Sequence, residues 1–156
     1  MDMFGSLLSV SHRLNEQLGR EVFDILPEDG PIIAIINKDG HCWPSDSGRF
    51  AGLNISEHFL KELFSKIDDG AEPIITQANK CTIVATQLAT EHTNCGYVII
   101  ALPGYNAESA LININLIEIL LNQVGLIAKL IEKNNLLYEL QMKQLGEYNN
   151  YDSPSN

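Results

Sequence analysis

The sequence has 156 residues, which is enough for one domain of ordinary size with a buried core. Hydrophobic residues make up 45% of it, so general disorder is excluded. The net charge is −10, from 20 acidic and 10 basic residues, and the basic residues are scattered rather than clustered. Because this charge repels phosphate groups, we expect the chain to bind neither nucleic acid nor a membrane surface.

The sequence lacks the common signals of export and membrane insertion. Its longest uninterrupted apolar runs, Pro31 to Ile36 and Tyr97 to Pro103, have the length of strands rather than of transmembrane helices. The N-terminal segment, Met1 to Gly5, has neither the basic start nor the cleavage site of a secretory signal. Three cysteines without a CxxC pair do not indicate a disulfide framework. We therefore expect a cytoplasmic protein.

The first predicted element is a helix over residues 6–26, where apolar side chains recur at steps of three and four residues. Residues 31–36 form a continuous apolar, β-branched run, which is typical of a central strand that is buried on both faces. The Asp39-Gly40 pair that follows favours a tight turn, and so predicts a hairpin with a short return strand at residues 41–43.

The middle of the chain is predicted to contain a loop, a helix and three strands. The polar segment at residues 45–52 is interpreted as the loop. Asn54 and Glu57 have the spacing of a capping box, which predicts a helix that begins there and ends before Gly70. The three strands are predicted at residues 73–76, 80–89 and 96–102. A short polar turn joins the last two, so we expect them to be antiparallel.

One very long helix is predicted from Asn106 to about residue 145, followed by a polar tail at residues 147–156 that we expect to be disordered. The chain then comprises one domain, residues 1–146. Its element order predicts an α/β fold of the α+β type, with a five-stranded, mostly antiparallel sheet that is flanked by helices.

The long helix carries two apolar stripes on different sides. The first stripe, which suits packing on the sheet, consists of Ile117, Leu120, Leu121, Val124, Ile127, Ala128 and Ile131. A helix that lies on one sheet needs a single stripe, so the second stripe predicts another partner, and a second copy of the chain is the simplest choice. We therefore predict a homodimer, with coiled-coil character, that also uses the first helix. The predicted interface residues are Leu7, Leu14, Leu126, Leu130, Leu137 and Leu140.

The order of elements resembles the GAF and PAS superfamily of sensor domains. The segment from Ile32 to Trp43 is similar to the opening strand, Asp-Gly turn and short strand of those sensors. Gly96 to Pro103 is similar to their last central strand, and Leu130 to Leu140 to the helix that joins a sensor to its output domain. The resemblance implies a sensory or regulatory domain without catalytic residues, which binds an unknown small molecule or dimerises and signals to an output domain that this chain lacks.

The same resemblance implies a ligand pocket between the sheet and the helix and loops that cross it. The residues expected to line this pocket are Ile33, Ile35, Trp43, Phe50, Phe59, Leu60, Leu63, Val84 and Tyr97. The alternative is that these side chains simply fill the core. No particular cofactor is implied.

Other functions fit the same sequence. Roadblock and profilin-like modules share the order helix, two strands, helix, three strands, helix, and that resemblance implies a dimeric scaffold for small GTPases. A thiol reductase, which some GAF-like proteins are, would use the cysteines, with a nearby histidine lowering the pKa of a thiol. The residues concerned are His41, Cys42, Cys81, His92 and Cys95. They lack the paired spacing of a structural zinc site, so we predict no metal.

Overall fold

The computed structural model describes residues 9–70, 73–78 and 81–152 of the chain. The helices in these ranges are α1 (Val10–Phe23), α2 (Ser47–Gly52), α3 (Glu57–Asp69), α4 (Ala107–Ile112) and α5 (Ile114–Asp152). The strands are β1 (Ile32–Ile36), β2 (Cys42–Pro44), β3 (Ile74–Ala78), β4 (Cys81–Ala89) and β5 (Asn94–Pro103). The predicted fold class is confirmed: the described residues form an α+β domain with a five-stranded sheet, flanking helices and a long C-terminal helix.

The strands lie in the order β2-β1-β5-β4-β3, and every neighbouring pair is antiparallel. β1 pairs with β5 over its full length, from Ile32 opposite Ala101 to Ile36 opposite Tyr97. All residues of β1 and most of β5 are buried. The two longest apolar runs of the sequence therefore lie side by side in the centre of the sheet, where both faces are covered.

Helices cover both faces of the sheet and divide the core into two layers. α1 and α5 pack on one face, where the buried residues include Leu14, Leu18, Ile33, Ile35, Val84, Val98 and Ile100. α3 and α2 pack on the other face, where the buried residues include Ile32, Ile36, Leu63, Ile67, Ile83, Tyr97 and Ile99. Alternate residues of β1 and β5 point into opposite layers, as the two-residue period of a strand requires.

The backbone requires glycine at two positions near the C-terminal end of β1. Gly40 adopts a φ of +92° in the β1–β2 turn, and the Asn37 side chain accepts hydrogen bonds from two backbone N–H groups of that turn at 3.1 and 2.9 Å. Gly96 adopts a φ of +104°, and a Cβ at this position would lie 2.3 Å from the carbonyl oxygen of Ile36. Both the backbone conformation and the close approach of β5 to β1 therefore exclude a side chain at Gly96.

Two predictions for residues 45–57 are wrong. The loop predicted at residues 45–52 contains helix α2, because the Asp46 side chain accepts the Arg49 N–H and caps the helix. The Arg49 guanidinium also donates to two backbone carbonyls of the loop before β1, which holds the helix in place. The N-cap of α3 is Ser56 rather than Asn54.

The helix predicted from residue 106 onward is interrupted at Asn113. The Nδ2 of Asn113 donates to the Ser109 carbonyl at 2.9 Å, and α4 ends there before α5 begins. α5 then continues to Asp152, past the predicted domain boundary at residue 146. The first part of the tail that was expected to be disordered is therefore helical, and residues 153–156 lie outside the described residues.

Candidate functional site

α5 is a helix of 39 residues. At 1.5 Å per residue it is about 58 Å long, roughly twice the width of a small domain. One face of its first half is buried against the sheet through Ile117, Leu121, Val124 and Ala128, which are at most 7% exposed. From residue 136 to residue 147 every side chain is exposed, so this part of the helix projects beyond the sheet.

The face of α5 opposite the sheet is apolar and exposed. Successive residues of a helix are rotated by about 100°, so apolar residues at the first (a) and fourth (d) positions of a seven-residue repeat form one stripe. The apolar residues in this register are Leu116, Ile119, Leu126, Leu130, Leu137 and Leu140, each 49–68% exposed. Gln123, Lys133 and Gln144 occupy the remaining a and d positions. We call these nine positions the outer seam of α5.

A buried carboxylate fixes the last turn of α5 that lies on the domain. Glu132 is 8% exposed and accepts hydrogen bonds from the hydroxyl groups of Thr90 and Thr93 and from the backbone N–H of His92. All three donors belong to the turn between β4 and β5. Burial raises the pKa of Glu132, but these hydrogen bonds and the His92 charge lower it by more, so its pKa lies below the ordinary value. We call this arrangement the Glu132 clamp.

Amide side chains join α1 to the same region. Nδ2 of Asn135 donates to Oε1 of Gln17 at 2.8 Å, which links α5 to α1. Asn15 is fully buried, and its Nδ2 donates to the Cys95 carbonyl of β5 at 2.8 Å. The Oδ1 of Asn15 has no hydrogen-bond partner among the described residues. Directional hydrogen bonds, as well as apolar packing, therefore fix α1 and α5 relative to the sheet.

The sheet separates the residues that were predicted to line a ligand pocket. Ile33, Ile35 and Val84 are buried on the face that α1 and α5 cover, and Trp43 packs against that layer. The predicted pocket residues on the opposite face are Phe50, Phe59, Leu60, Leu63 and Tyr97. Since the sheet lies between the two groups, they do not line one cavity. The prediction of a single pocket is therefore corrected: these side chains belong to two separate core layers.

The polar residues of that set are engaged within the fold. The Tyr97 hydroxyl donates to the Asp68 carboxylate at 2.8 Å. The Trp43 ring contacts the rings of His12 and His41, with centroid separations of 4.9 and 4.4 Å. The Tyr97 contact stabilises the packing of α3 on the sheet, and the Trp43 contacts stabilise the packing of α1. The two rings therefore do not face a shared cavity.

The environment of the cysteines opposes nucleophilic chemistry. All three are free thiols; Cys81 and Cys95 are buried and Cys42 is partly buried. Burial raises the pKa of Cys42 to about 11, burial and the Glu132 charge raise that of Cys95 to about 12, and burial also raises that of Cys81. Thiols with such pKa values stay protonated near neutral pH, which opposes nucleophilic use. In the part of the chain that the structure describes, no group of three or more His, Cys, Asp or Glu residues is placed to hold a metal.

The residues predicted to form a dimer interface have different environments. Four of them are exposed on the outer seam: Leu126, Leu130, Leu137 and Leu140. Leu14 is 2% exposed and belongs to the core layer under α1 and α5, so its assignment to an interface is wrong. Leu7 lies outside the described residues. Sequence reasoning missed Leu116 and Ile119, which continue the seam toward the start of α5 and which the heptad spacing alone identifies.

By length and composition alone, α5 is also apolar enough to cross a membrane between Ile114 and Glu147. The expectation of no membrane insertion considered uninterrupted apolar runs, whereas a long helix can be apolar on average with isolated polar residues. In the structure the same helix packs one face on the sheet, and crossing a membrane would remove that face from the core.

No protein-family model, no curated protein and no solved structure matches the chain. The resemblance to sensor domains, and the alternatives to it, therefore remain predictions from the sequence. The features that bear on function are the outer seam of α5, the Glu132 clamp and the projecting segment at residues 136–147.

Proposed function

We propose that the chain is a cytoplasmic regulatory domain, not an enzyme, that forms a parallel homodimer through the outer seam of α5 and passes conformational changes along that helix. The observation that carries the proposal is the heptad register of exposed leucine and isoleucine side chains on the face that points away from the sheet. A single copy of the chain leaves this stripe in water. A second α5 covers it with an identical, self-complementary surface.

A parallel, in-register pairing suits the polar positions of the seam. In that arrangement each a residue faces the same residue of the second copy. Gln123 and Gln144 then lie opposite their own counterparts, where two side-chain amides can exchange hydrogen bonds. Lys133 lies at a d position, and its long side chain packs its methylene groups on the neighbouring leucines while the ammonium group reaches water. The polar residues therefore favour one register over slipped ones.

The apolar area of the seam sets the expected affinity. Burying the exposed half of a leucine side chain contributes about 1 kcal/mol, and two copies bring together about a dozen such side chains. The total of about 12 kcal/mol exceeds the lower end of the cost of lost translational and rotational freedom, about 4 kcal/mol, by about 8 kcal/mol. We therefore expect a dimer that dissociates in the micromolar range, so that its formation responds to changes in the domain.

The Glu132 clamp supports a role in transmission. It joins the β4–β5 turn to the last turn of α5 that lies on the domain, immediately before the projecting segment at residues 136–147. A displacement of the turn would move the projecting segment, and pairing through the seam would couple the two copies. An output domain or partner would receive the signal at the end of this projecting pair of helices.

A dimeric interaction scaffold of the roadblock or profilin-like kind is the second candidate. It is favoured by the two filled core layers, since the residues predicted to bind a ligand are divided between them. Both candidates use a homodimer. They differ in whether a small molecule binds to the domain.

The proposed dimer is tested by disulfide trapping of Leu137→Cys, with Tyr138→Cys as the matched control. Residue 137 faces its counterpart in a parallel dimer, whereas residue 138 is rotated from it by about 100° and points away from the seam. We expect mild oxidation to give a covalent dimer of Leu137→Cys on a denaturing, non-reducing gel, and to leave Tyr138→Cys and the wild-type chain without a covalent cross-link. Equal cross-linking of the two variants, or none in either, would contradict the proposal.

A further inference from the structure

We infer that the projecting segment of α5 carries a second interaction surface, which binds an amphipathic helix of a partner protein with basic residues beside its apolar face. The surface consists of Tyr138, Met142 and Leu145, which are 63%, 49% and 53% exposed, and we call it the tail stripe. The inference rests on the proposed function for its biological role, since it names the kind of partner that would receive the signal. The surface itself belongs to a single copy of the chain.

The tail stripe lies on a different side of α5 from the outer seam. Its residues follow one another at steps of four and three positions, so a rotation of about 100° per residue places them within about 60° of each other. By the same rotation, Leu137 and Leu140 of the seam point about 140° away from the centre of the stripe. Pairing through the seam therefore leaves the tail stripe exposed on the outside of each helix.

The tail stripe continues the face of α5 that packs on the sheet. The sheet-facing positions recur at alternating steps of four and three from Ile117 to Ala128, and the same steps lead through Ile131 and Asn135 to the tail stripe. The domain covers this face as far as Asn135, whose side chain is bonded to Gln17 of α1. Beyond that point the face is still apolar but lies exposed. Because an exposed helix face is usually polar, three apolar side chains in this register indicate a binding surface.

The backbone of α5 determines what kind of segment fits this surface. In the interior of a helix every N–H and C=O group is bonded within the helix, so an extended peptide would gain no main-chain hydrogen bonds from the tail stripe. A second helix needs none, and its own apolar residues at steps of three and four interlock with those of the stripe. The spacing therefore favours an amphipathic helix as the occupant.

Charge favours a partner helix with basic residues. Glu139 is exposed and lies beside the tail stripe, whereas Lys143 lies nearer the seam. Glu91 is exposed in the β4–β5 turn, which holds α5 immediately before the projecting segment. The chain as a whole has a net charge of −10. Opposite charge steers the approach of a partner and selects its orientation.

The test is a titration of the full chain with two model peptides, followed by amide chemical shifts. The lysine peptide is a helix of about 14 residues, or four turns, with leucines at steps of three and four and lysines elsewhere. The glutamate peptide has glutamate in place of each lysine. We expect the lysine peptide to shift the amides of residues 136–147 and to bind with a Kd of about 1 mM or tighter. The glutamate peptide should bind at least about threefold more weakly, which is the scale of one exposed ion pair.

Two variants locate the binding. Tyr138→Ala/Met142→Ala/Leu145→Ala removes the tail stripe but keeps residues that favour a helix, and it should weaken binding of the lysine peptide at least about tenfold. Leu111→Ala/Ile112→Ala is the matched control, since it removes apolar side chains that are 62% and 77% exposed elsewhere, and it should bind normally. Circular dichroism checks that both variants keep their helix content.

Leu130→Glu/Leu137→Glu, in which the seam is disrupted, should still bind the lysine peptide. Failure of dimerisation and failure of peptide binding are therefore observed separately. Unchanged affinity of the triple alanine variant, equal affinity for the two peptides, or shifts confined to residues 116–130 would overturn the inference. A second copy covering the tail stripe would also overturn it, and would give a wild-type mass above that of a dimer that falls in the triple variant.

Discussion

Replacing Glu132 by alanine measures how strongly the β4–β5 turn holds α5. The change removes a buried carboxylate that accepts hydrogen bonds from Thr90, Thr93 and the His92 backbone. Each hydrogen bond to a charged group contributes about 1.5–3 kcal/mol, although donors in a surface turn recover part of this through water. We therefore expect the free energy of unfolding to fall by about 3 kcal/mol, which corresponds to roughly 6–12 °C in Tm for a domain of this size.

Thermal and urea unfolding, followed by circular dichroism, measure this loss. Glu139→Ala is the matched control, since Glu139 is exposed on the same helix, and its change should stay within about 0.5 kcal/mol. Thr93→Val should cost less stability in the Glu132→Ala background than in the wild type, because both residues belong to one hydrogen-bonded group. A loss below about 1 kcal/mol for Glu132→Ala, or equal effects of Thr93→Val in the two backgrounds, would refute the reasoning.

The clamp also predicts a dependence on pH. Burial raises the pKa of Glu132, but the hydrogen bonds lower it by more, so it lies below the ordinary value of 4.5 in the folded protein. A carboxylate with a lowered pKa stabilises the fold above the pKa of the unfolded chain, and this contribution is lost as the pH falls through the folded-state pKa. The difference in Tm between the wild type and Glu132→Gln should therefore be constant near neutral pH and narrow below about pH 4.5. A difference that widens in acid would contradict this assignment.

Further changes test the packing. Gly96→Ala places a Cβ 2.3 Å from the Ile36 carbonyl at a φ of +104°; it should lower the unfolding free energy by at least about 2 kcal/mol in urea. Gly125→Ala meets no atom within 4 Å and should raise it by about 1 kcal/mol. Cys42 and Cys95, whose pKa values burial raises to about 11 and about 12, should react with iodoacetamide far more slowly in the folded than in the unfolded chain. Reversed signs for the glycine variants, or equal thiol rates, would contradict the structure.

The elements that the sequence predicts well have local determinants. The β1–β2 hairpin follows from an apolar run at residues 31–36 and the Asp39-Gly40 pair after it, and Gly40 adopts the positive φ that such a turn needs. The sheet-facing stripe of α5 follows from helical periodicity, and Ile117, Leu121 and Val124 of that stripe are buried. In both cases the residues that decide the structure lie within a few positions of one another.

The contacts that sequence reasoning missed join distant parts of the chain. Glu132 stands between Ile131 and Lys133 and has the pattern of an ordinary helix carboxylate, but its hydroxyl partners lie 42 and 39 positions earlier. Helix α2 has a local cap in Asp46, but its Arg49 is also held by carbonyls of the loop before β1, 21 and 19 positions earlier. Spacing along the chain carries no signal for either contact.

The residues predicted to line one ligand pocket lie in two core layers, because burial does not specify which face of the sheet a side chain occupies. Every residue of β1 and most residues of β5 are buried, since helices cover both sides of the sheet. Only the pairing register and the positions of the helices decide that Ile35 faces α1 and α5 while Tyr97 faces α3. Both are set by contacts between elements, and apolar composition alone does not reveal them.

The mass of the full chain in solution tests the homodimer most directly. Sedimentation equilibrium between about 1 and 100 µM covers the micromolar range expected for the seam. The wild type should pass from the chain mass of 17.3 kDa toward twice that value as its concentration rises. Leu130→Glu/Leu137→Glu should stay at 17.3 kDa, and Tyr138→Glu, off the seam, should behave as the wild type. A wild-type chain that remains monomeric throughout, or a double variant that dimerises as well as the wild type, would contradict pairing through α5.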